Sequence, residues 1–321
     1  MHIFNRRSLI IASSAIAMAL TATQPSFADD KKTLAFVVNV PADFWTIARA
    51  GTDKAQAELP NYNIEFYIPG EMSAAAQKKI LEDLLAKGVA GVAISPVNPD
   101  DSTAILNEVA SKAVLITHDA DAPASNRLMY VGTDNVAAGR QAGELMKKAL
   151  PDGGQAMLFV GTMDSANARE RTQGIKEAIA GTKIEIIDIR TDGGDQAKAK
   201  ANVEDTLTKY PDIDLLVGLW AYNTPQIYNA VKALGKAGSV KIVGFDEDQQ
   251  TLKGVSEGVI DGTVVQQPFE FGYQSMINMA KLIEGDNSVI PANKLEIVPT
   301  QVVDKSNVQE FGDNLKKLLG N

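Results

Sequence analysis

Not one of the 321 residues is a cysteine. That excludes disulfides and thiolate metal sites, so packed cores must hold the fold. Histidine is nearly as scarce, with only His2 and His118. A Ser-His-Asp triad would have to use His118, and no Gly-x-Ser-x-Gly turn accompanies it. The phosphate-loop pattern Gly-x-x-x-x-Gly-Lys-Ser/Thr is missing, and no Gly-x-Gly-x-x-Gly follows the first apolar run. There the chain reads Asn39-Val40-Pro41-Ala42-Asp43-Phe44-Trp45, too bulky for a pyrophosphate to approach closely. Basic charge is also short: 31 Lys+Arg face 40 Asp+Glu, a net charge of −9, without a basic cluster. Nucleic acid and anionic lipid are therefore poor partners, and the acid excess serves solubility. No cofactor and no metal are expected. Asp192-Gly193-Gly194-Asp195 has part of a calcium loop, but its spacing completes no ligand set, and a plain turn is the better reading.

No apolar run is long enough to cross a hydrocarbon core about 30 Å thick. The stretch 9–20, broken by Ser13 and Ser14, follows Arg6-Arg7 and precedes Ser26-Phe27-Ala28. A basic start, a short apolar segment and small residues at −3 and −1 are the parts of a cleaved secretory signal, assigned to residues 1–28. A membrane anchor is the rival reading, and the run is too short for it. Arg6-Arg7-Ser8-Leu9 also has a weak twin-arginine look. The secreted chain is expected to start near Asp29, to be soluble and to form two domains.

Short β-rich runs alternate with helical patterns along the rest. The runs are 34–38, 64–68, 91–94, 114–117, 128–131, 156–160, 184–189, 215–219 and 241–245. Between the first two, Ile47, Gly51, Ala55 and Leu59 share one helical face behind Asp43, a candidate N-cap. Ser73 caps the next helix, whose stripe is Ile80, Leu81, Leu84 and Leu85, and Gly88 stops it. A further helix begins near Asn135. Such alternation implies an α/β fold with parallel sheets covered on both faces, which makes each strand continuously apolar. The best boundary is 131–135, and beyond Gly262 come a strand at 263–266, a helix at 270–284 and a strand at 296–298. The pattern leaves open whether these last elements return to the first half.

Ligands of doubly wound sheets bind beyond the carboxyl ends of the strands. Those ends offer Asn39 with Phe44 and Trp45, then Ser95, His118 and Asp119, then the stretch from Asp164 to Arg169. The later ends offer Trp220, Tyr222 and Asn223, then Asp246 and finally Gln266. Aromatic faces with planar amide, carboxylate and guanidinium groups suit a sugar, whose C–H face stacks and whose hydroxyls take paired hydrogen bonds. Each residue also has a plainer use. Phe44 or Trp45 can be core, Asp119 a turn former, Asp246 a helix cap and Arg169 the partner of Glu170 in a surface pair.

The order of these segments resembles the ribose/galactose type of periplasmic sugar-binding protein, the solute receptor of an ABC importer. The segments that carry the resemblance are 34–38 with Phe44-Trp45, Val131-Gly132-Thr133-Asp134-Asn135 and Asn167-Ala168-Arg169-Glu170-Arg171, followed by Val243-Gly244-Phe245-Asp246 and Thr263-Val264-Val265-Gln266. The resemblance implies two doubly wound parallel-sheet lobes joined by a three-crossing hinge. It assigns 31–133 plus 267–295 to the first lobe and 134–266 plus 296–321 to the second. It implies a periplasmic, monomeric, non-catalytic protein that closes on a sugar or polyol and serves a membrane permease. Asn39, Phe44, Trp45, Ser95, Asp119, Arg169, Trp220, Asn223, Asp246 and Gln266 are the implied or candidate ligand residues, with Trp220 our own addition. Ala120 and Ser95 depart from ribose-binding relatives, which have arginine and asparagine there, and the usual aromatic near 192–195 is missing. Ribose itself is thereby put in doubt, and Trp220 and Tyr222 are expected to compensate. A repressor reading fails for want of a preceding helix-turn-helix. A chemoreceptor role is compatible with transport, and a secreted sugar-modifying enzyme built on His118 with nearby carboxylates is the alternative.

Overall fold

The computed structural model describes residues 31–320. The signal assigned to residues 1–28 lies outside the described residues. Within them the chain forms two six-stranded sheets. The first contains β1 (Lys32–Val37), β2 (Tyr62–Tyr67), β3 (Gly91–Ile94), β4 (Val114–His118) and β5 (Met129–Gly132). The second contains β6 (Gly154–Val160), β7 (Ile184–Thr191), β8 (Leu215–Gly218), β9 (Lys241–Phe245) and β10 (Gly262–Val265). Two late strands divide between them: β11 (Leu295–Ile297) joins β5 in parallel, and β12 (Gln301–Val303) joins β10 antiparallel. The orders are β11-β5-β4-β3-β1-β2 and β12-β10-β9-β8-β6-β7. The order in which strands are added reverses between β1 and β3 and again between β6 and β8, although both pairs are parallel, and such switch points open a crevice at the strand ends.

The helices of the first lobe are α1 (Phe44–Glu58), α2 (Ala74–Ala86) and α3 (Pro99–Lys112). The second lobe has α4 (Asn135–Ala149), α5 (Ala166–Ile179), α6 (Gln196–Lys209), α7 (Asn223–Ala233) and α8 (Gln249–Glu257). After β10, α9 (Pro268–Ile283) returns to the first lobe and packs along α1, while the terminal α10 (Val308–Leu318) packs on α8. The question the apolar pattern left open is thus answered by α9 and β11. The expected division at 295 falls inside β11, whose backbone pairing with β5 carries the first lobe on to Ile297. The third crossing therefore lies between Ile297 and Gln301.

Two-sided burial explains the continuous strands. Along β1, Leu34 and Phe36 face the core under α1 and α9, whereas Ala35 and Val37 face Leu81, Leu84 and Leu106 on the other side. In the second lobe, Leu158 and Val217 face one core while Met157, Phe159 and Leu216 face the other. Helix ends follow local chemistry. The Ser73 hydroxyl accepts the Ala76 N–H at 3.1 Å, and Gly88 turns the chain after α2 at φ 71°. Asp43, by contrast, makes no side-chain cap; it is itself in the helical region and its carbonyl accepts the Thr46 hydroxyl. Both principal helix pairs cross at glycine. A Cβ on Gly272 would sit 2.1 Å from the Ala48 carbonyl oxygen, and one on Gly139 2.2 Å from that of Arg171.

Candidate functional site

The strand ends of both lobes meet in one cleft. Asn39, Phe44, Trp45 and Asp119 enter it from the first lobe, and Asn167, Arg171, Trp220, Tyr222 and Asp246 from the second, with Gln266 at the second crossing. The space between them amounts to about 340 Å³ counted out to its mouth.

Two aspartates occupy equivalent places, one after β4 and one after β9. Both adopt left-handed backbone, Asp119 at φ 58° and Asp246 at φ 68°. That conformation costs about 1–2 kcal/mol for a residue with a side chain, with Asp among the better tolerated. Neighbouring groups hold it in each case. The Asp246 N–H donates to Val264 and its carbonyl accepts the Thr263 hydroxyl at 2.8 Å. The Asp119 carbonyl accepts the Tyr130 hydroxyl at 2.9 Å. The turn aims both carboxylates into the cleft. Asp119 accepts from Ser95 at 2.7 Å, from Asn39 at 3.3 Å and, across the cleft, from Asn167 at 3.4 Å. Asp246 accepts the Gln266 amide at 2.8 Å, and Gln266 in turn accepts the Thr133 hydroxyl of the first crossing at 3.0 Å. Burial pushes both carboxyls up, Asp246 to about 6, against the opposing pull of the Arg171 charge.

Arg171 is 1% exposed and is the cation of the site. Its Nε donates to Asn135 at 3.0 Å and its Nη1 to the Leu219 carbonyl at 2.6 Å, while the guanidinium lies 4.5 Å over the Phe245 ring. Nη2 is left without a partner, a buried donor that a ligand oxygen can satisfy. Arg169 was the expected arginine, and the structure corrects it. Arg169 is exposed and donates to the Met163 and Asp164 carbonyls at the start of α5. Asn167, Arg171, Ile175 and Ile179 lie on the buried face at i, i+4 spacing, and position 169 points off it. That spacing was available in the sequence and identifies Arg171.

The aromatic walls also divide by lobe. The Trp45 indole N–H donates to Asn39 at 3.2 Å, and the ring both lines the cleft and belongs to the first-lobe core. Phe44 stands half-buried beside it, ring centres 4.9 Å apart and edge-on. Opposite, Trp220 donates to Asn167 at 3.2 Å. Gly161 makes room for it, since a Cβ there would meet the Trp220 ring at 2.0 Å. Tyr222 is fixed by its hydroxyl, 2.6 Å from Asp192, whose other oxygen accepts the Asn223 amide at 2.9 Å. Asp192 is thus more than a turn residue: it is a buried carboxylate, raised by desolvation, that props the second-lobe wall. Asn223 props Asp192 from behind and does not line the cleft, and Ser95 likewise stands one layer back, supporting Asp119. Asn167 and Asp192 were not foreseen as part of the site, and Tyr222 only as a compensating aromatic.

His118 lies behind this surface. It is fully buried, stacked on Phe36 at 3.9 Å and edge-on to Trp45 at 5.5 Å. Desolvation pushes its imidazole down to about 3, a weak pull from the Val37 carbonyl notwithstanding. A neutral ring sealed in the core has no path to a substrate proton. Among the described residues no cluster of His, Asp and Glu is arranged to hold a metal, and no helix is long and apolar enough to cross a membrane.

Residues 34–287 match the family model of the periplasmic binding protein domain. The ribose import binding protein of Escherichia coli (strain K12) is 29% identical over 283 residues, 86% of this chain and 93% of that protein. The corresponding protein of Salmonella typhimurium is 28% identical over the same length. Among solved structures, an ABC transporter solute-binding protein from Burkholderia graminis in complex with D-arabinose superposes with a TM-score of 0.81 at 27% identity. It covers 87% of this chain and 97% of its own. A glucose-galactose binding protein from Geobacillus stearothermophilus gives 0.80 at 26% identity, covering 87% and 99%.

Proposed function

The chain belongs to the periplasmic binding protein domain family, as a sugar-binding protein of the ribose/galactose type, and from that premise we propose that it closes on one monosaccharide in the periplasm and passes it to the membrane permease of an ABC importer. The observation that carries this reading is the composition of the cleft. Two buried carboxylates and one buried guanidinium with a free donor sit between aromatic rings from both lobes. A pyranose or furanose presents hydroxyls that donate to Asp119 and Asp246, oxygens that accept from Arg171, and C–H faces for Trp45 and Trp220. A site that bonds each hydroxyl rejects analogues lacking one, because its own groups would be left unpaired. Because the contacts come from both lobes, ligand favours the closed arrangement and the hinge opens without it; hinge closure of periplasmic binding proteins is a recognised motion. The protein acts as a monomer and without catalysis, and the isolation of His118 supports the latter.

The test is a thermal-shift and calorimetric screen of free pentoses, hexoses and inositols. A rise in melting temperature for a small subset, with the compound recovered unchanged, is the expected result. Steady turnover of any sugar, or no response to any of them, overturns the reading.

A further inference from the structure

One side chain of the first lobe packs into the core of the second. Met72, in the loop between β2 and α2, lies against the apolar cluster of α4, α5 and the second sheet, the only first-lobe residue to do so among the described residues. It immediately precedes the Ser73 cap, so the first turn of α2 fixes where it stands. Opposite it, the turn before α6 has no side chain to keep the loops apart. A Cβ on Gly194 would lie 3.1 Å from the Met72 Cβ, 3.4 Å from its Sδ and 3.3 Å from the Val40 Cγ2. Gly194 holds φ 81°, left-handed backbone that suits glycine, and its N–H donates to Asp192 at 2.8 Å. The same Asp192 oxygen accepts the Tyr222 hydroxyl at 2.6 Å. The surface that receives Met72 is thus tied to the aromatic wall of the cleft, and lobe opening must withdraw Met72 from it. Met129, Met146, Met157, Met276 and Met279 are buried. Met72 and Met163 are half-buried, and Met163 packs against its own lobe.

We propose that Met72 is an oxidation site that controls closure: its thioether seats on the second lobe when the cleft shuts, and conversion to the sulfoxide weakens that seating. The oxidant is a two-electron oxygen donor, hydrogen peroxide or hypochlorous acid. A sulfur lone pair attacks a peroxide oxygen, the S–O bond forms as the O–O bond breaks, and proton transfer releases water; sulfur gives up the two electrons that peroxide gains. With hypochlorous acid the O–Cl bond breaks instead, and chloride and a proton leave. The product is a polar side chain in place of a flexible apolar one, and its oxygen must leave water to lie against an apolar core. Opening uncovers the sulfur and closing covers it, so ligand and oxidant oppose each other. A filled cleft shields Met72, and an oxidised Met72 disfavours a filled cleft. Met163 has no such link, because its neighbours all belong to the second lobe and move with it. The closure role holds for any cleft ligand; the binding arm of its test rests on the sugar reading.

Limited peroxide treatment of the full secreted chain, read by peptide mass spectrometry, decides it, with D-ribose, D-arabinose and D-galactose as probes. Without sugar, Met72 and Met163 should oxidise ahead of the buried methionines. A sugar that binds should slow Met72 oxidation about threefold or more and leave Met163 within about twofold. Oxidised wild type and Met72→Gln should bind that sugar about fivefold more weakly or worse. Met72→Leu, which keeps the apolar contact, should bind as wild type does and hold its affinity after peroxide. Equal protection of Met72 and Met163, or unchanged affinity in oxidised wild type and Met72→Gln, would overturn the proposal. If none of the three sugars binds, that counts against the sugar reading alone, and the ligand-free chain decides the closure role. The native sequence has no cysteine, so nitroxides on Glu82→Cys and Lys200→Cys report one distance between the lobes. Met72→Gln should then show a longer mean distance than Met72→Leu, and identical distances would overturn the closure role.

Discussion

Lowering the pH from 7 to 5 should weaken sugar binding about tenfold, and Asp246 is the group responsible. Burial raises its carboxyl to about 6, although the Arg171 charge and the Gln266 amide pull the other way. About nine-tenths of the empty protein therefore carries Asp246 ionised at pH 7, and about one-tenth at pH 5. A sugar hydroxyl that donates to this carboxylate favours the charged form, so apparent affinity follows the ionised fraction. The loss corresponds to about 1.4 kcal/mol. Melting temperature would be a poor readout, because two buried groups oppose each other. Asp246 is raised above its unfolded value, so the folded state holds its proton more tightly and gains about 1.4 kcal/mol as pH falls from 7 to 5. His118 is lowered to about 3, so below its ordinary value near 6.5 only the unfolded chain takes the proton, a loss of about 2 kcal/mol at pH 5. Asp119 and Asp192, both raised by burial, add to the Asp246 direction. Calorimetric titration at fixed ionic strength isolates the binding effect. The decline should centre near pH 6, and Asp246→Asn should bind more weakly at pH 7 while flattening the profile there. A wild-type affinity that stays level from pH 7 to 5 would refute the role given to Asp246.

Arg171→Met should lower sugar affinity by about a hundredfold or more, since it removes a charge-assisted donor, worth about 1.5–3 kcal/mol, and leaves two buried carboxylates without their cation. Arg169→Ala, on the exposed side of α5, should change affinity less than about twofold by the same titration, and the reverse ranking would restore the sequence-based choice. Gly272→Ala drives a methyl into the Ala48 carbonyl and should destabilise by about 2 kcal/mol or more in urea denaturation; an unchanged midpoint would mean that α9 can ride away from α1 without cost. His118→Phe exchanges one buried ring for another of similar size stacked on Phe36. It should keep sugar affinity within about threefold, and a loss of turnover on any sugar substrate would revive the enzymatic alternative.

The sheets were largely legible in the sequence because their strands are buried on both faces. The runs 91–94 and 241–245 coincide with β3 and β9. β12 was not, being three residues long, exposed at Gln301 and held only by antiparallel pairing to β10. α10 escaped because it buries only Val308 fully. The site was legible as positions more than as contacts. Strand ends pointed to Asn39, Asp119, Trp220, Asp246 and Gln266, all of which line the cleft. They did not separate Arg169 from Arg171, because strand-end logic stops where a helix begins and the 3.6-residue period takes over. Nor did they reveal that Asn223 and Ser95 serve other side chains, since a residue's layer depends on tertiary packing that no local pattern encodes.

On the proposed reading, the paired aspartates give a reason for ligand to favour the closed cleft. Each lobe supplies one carboxylate from the same topological place, held by left-handed backbone that nothing in the ladder would select on its own. A side chain branched at Cβ could not adopt that turn without larger strain, whereas asparagine can, which is why the Asp246→Asn variant tests charge rather than shape. Closing the lobes brings both carboxylates out of water toward a single guanidinium, so one negative charge is left uncompensated. Desolvating it is costly unless further donors arrive. Asn167 reaches Asp119 across the cleft at 3.4 Å, the long end of a hydrogen bond, and cannot serve Asp246 as well. The hydroxyls of a sugar supply the missing donors on both sides at once. On this account the acidity of the cleft is what couples occupancy to closure, and a neutral Asp246 should bind less tightly and also hold the lobes together less firmly.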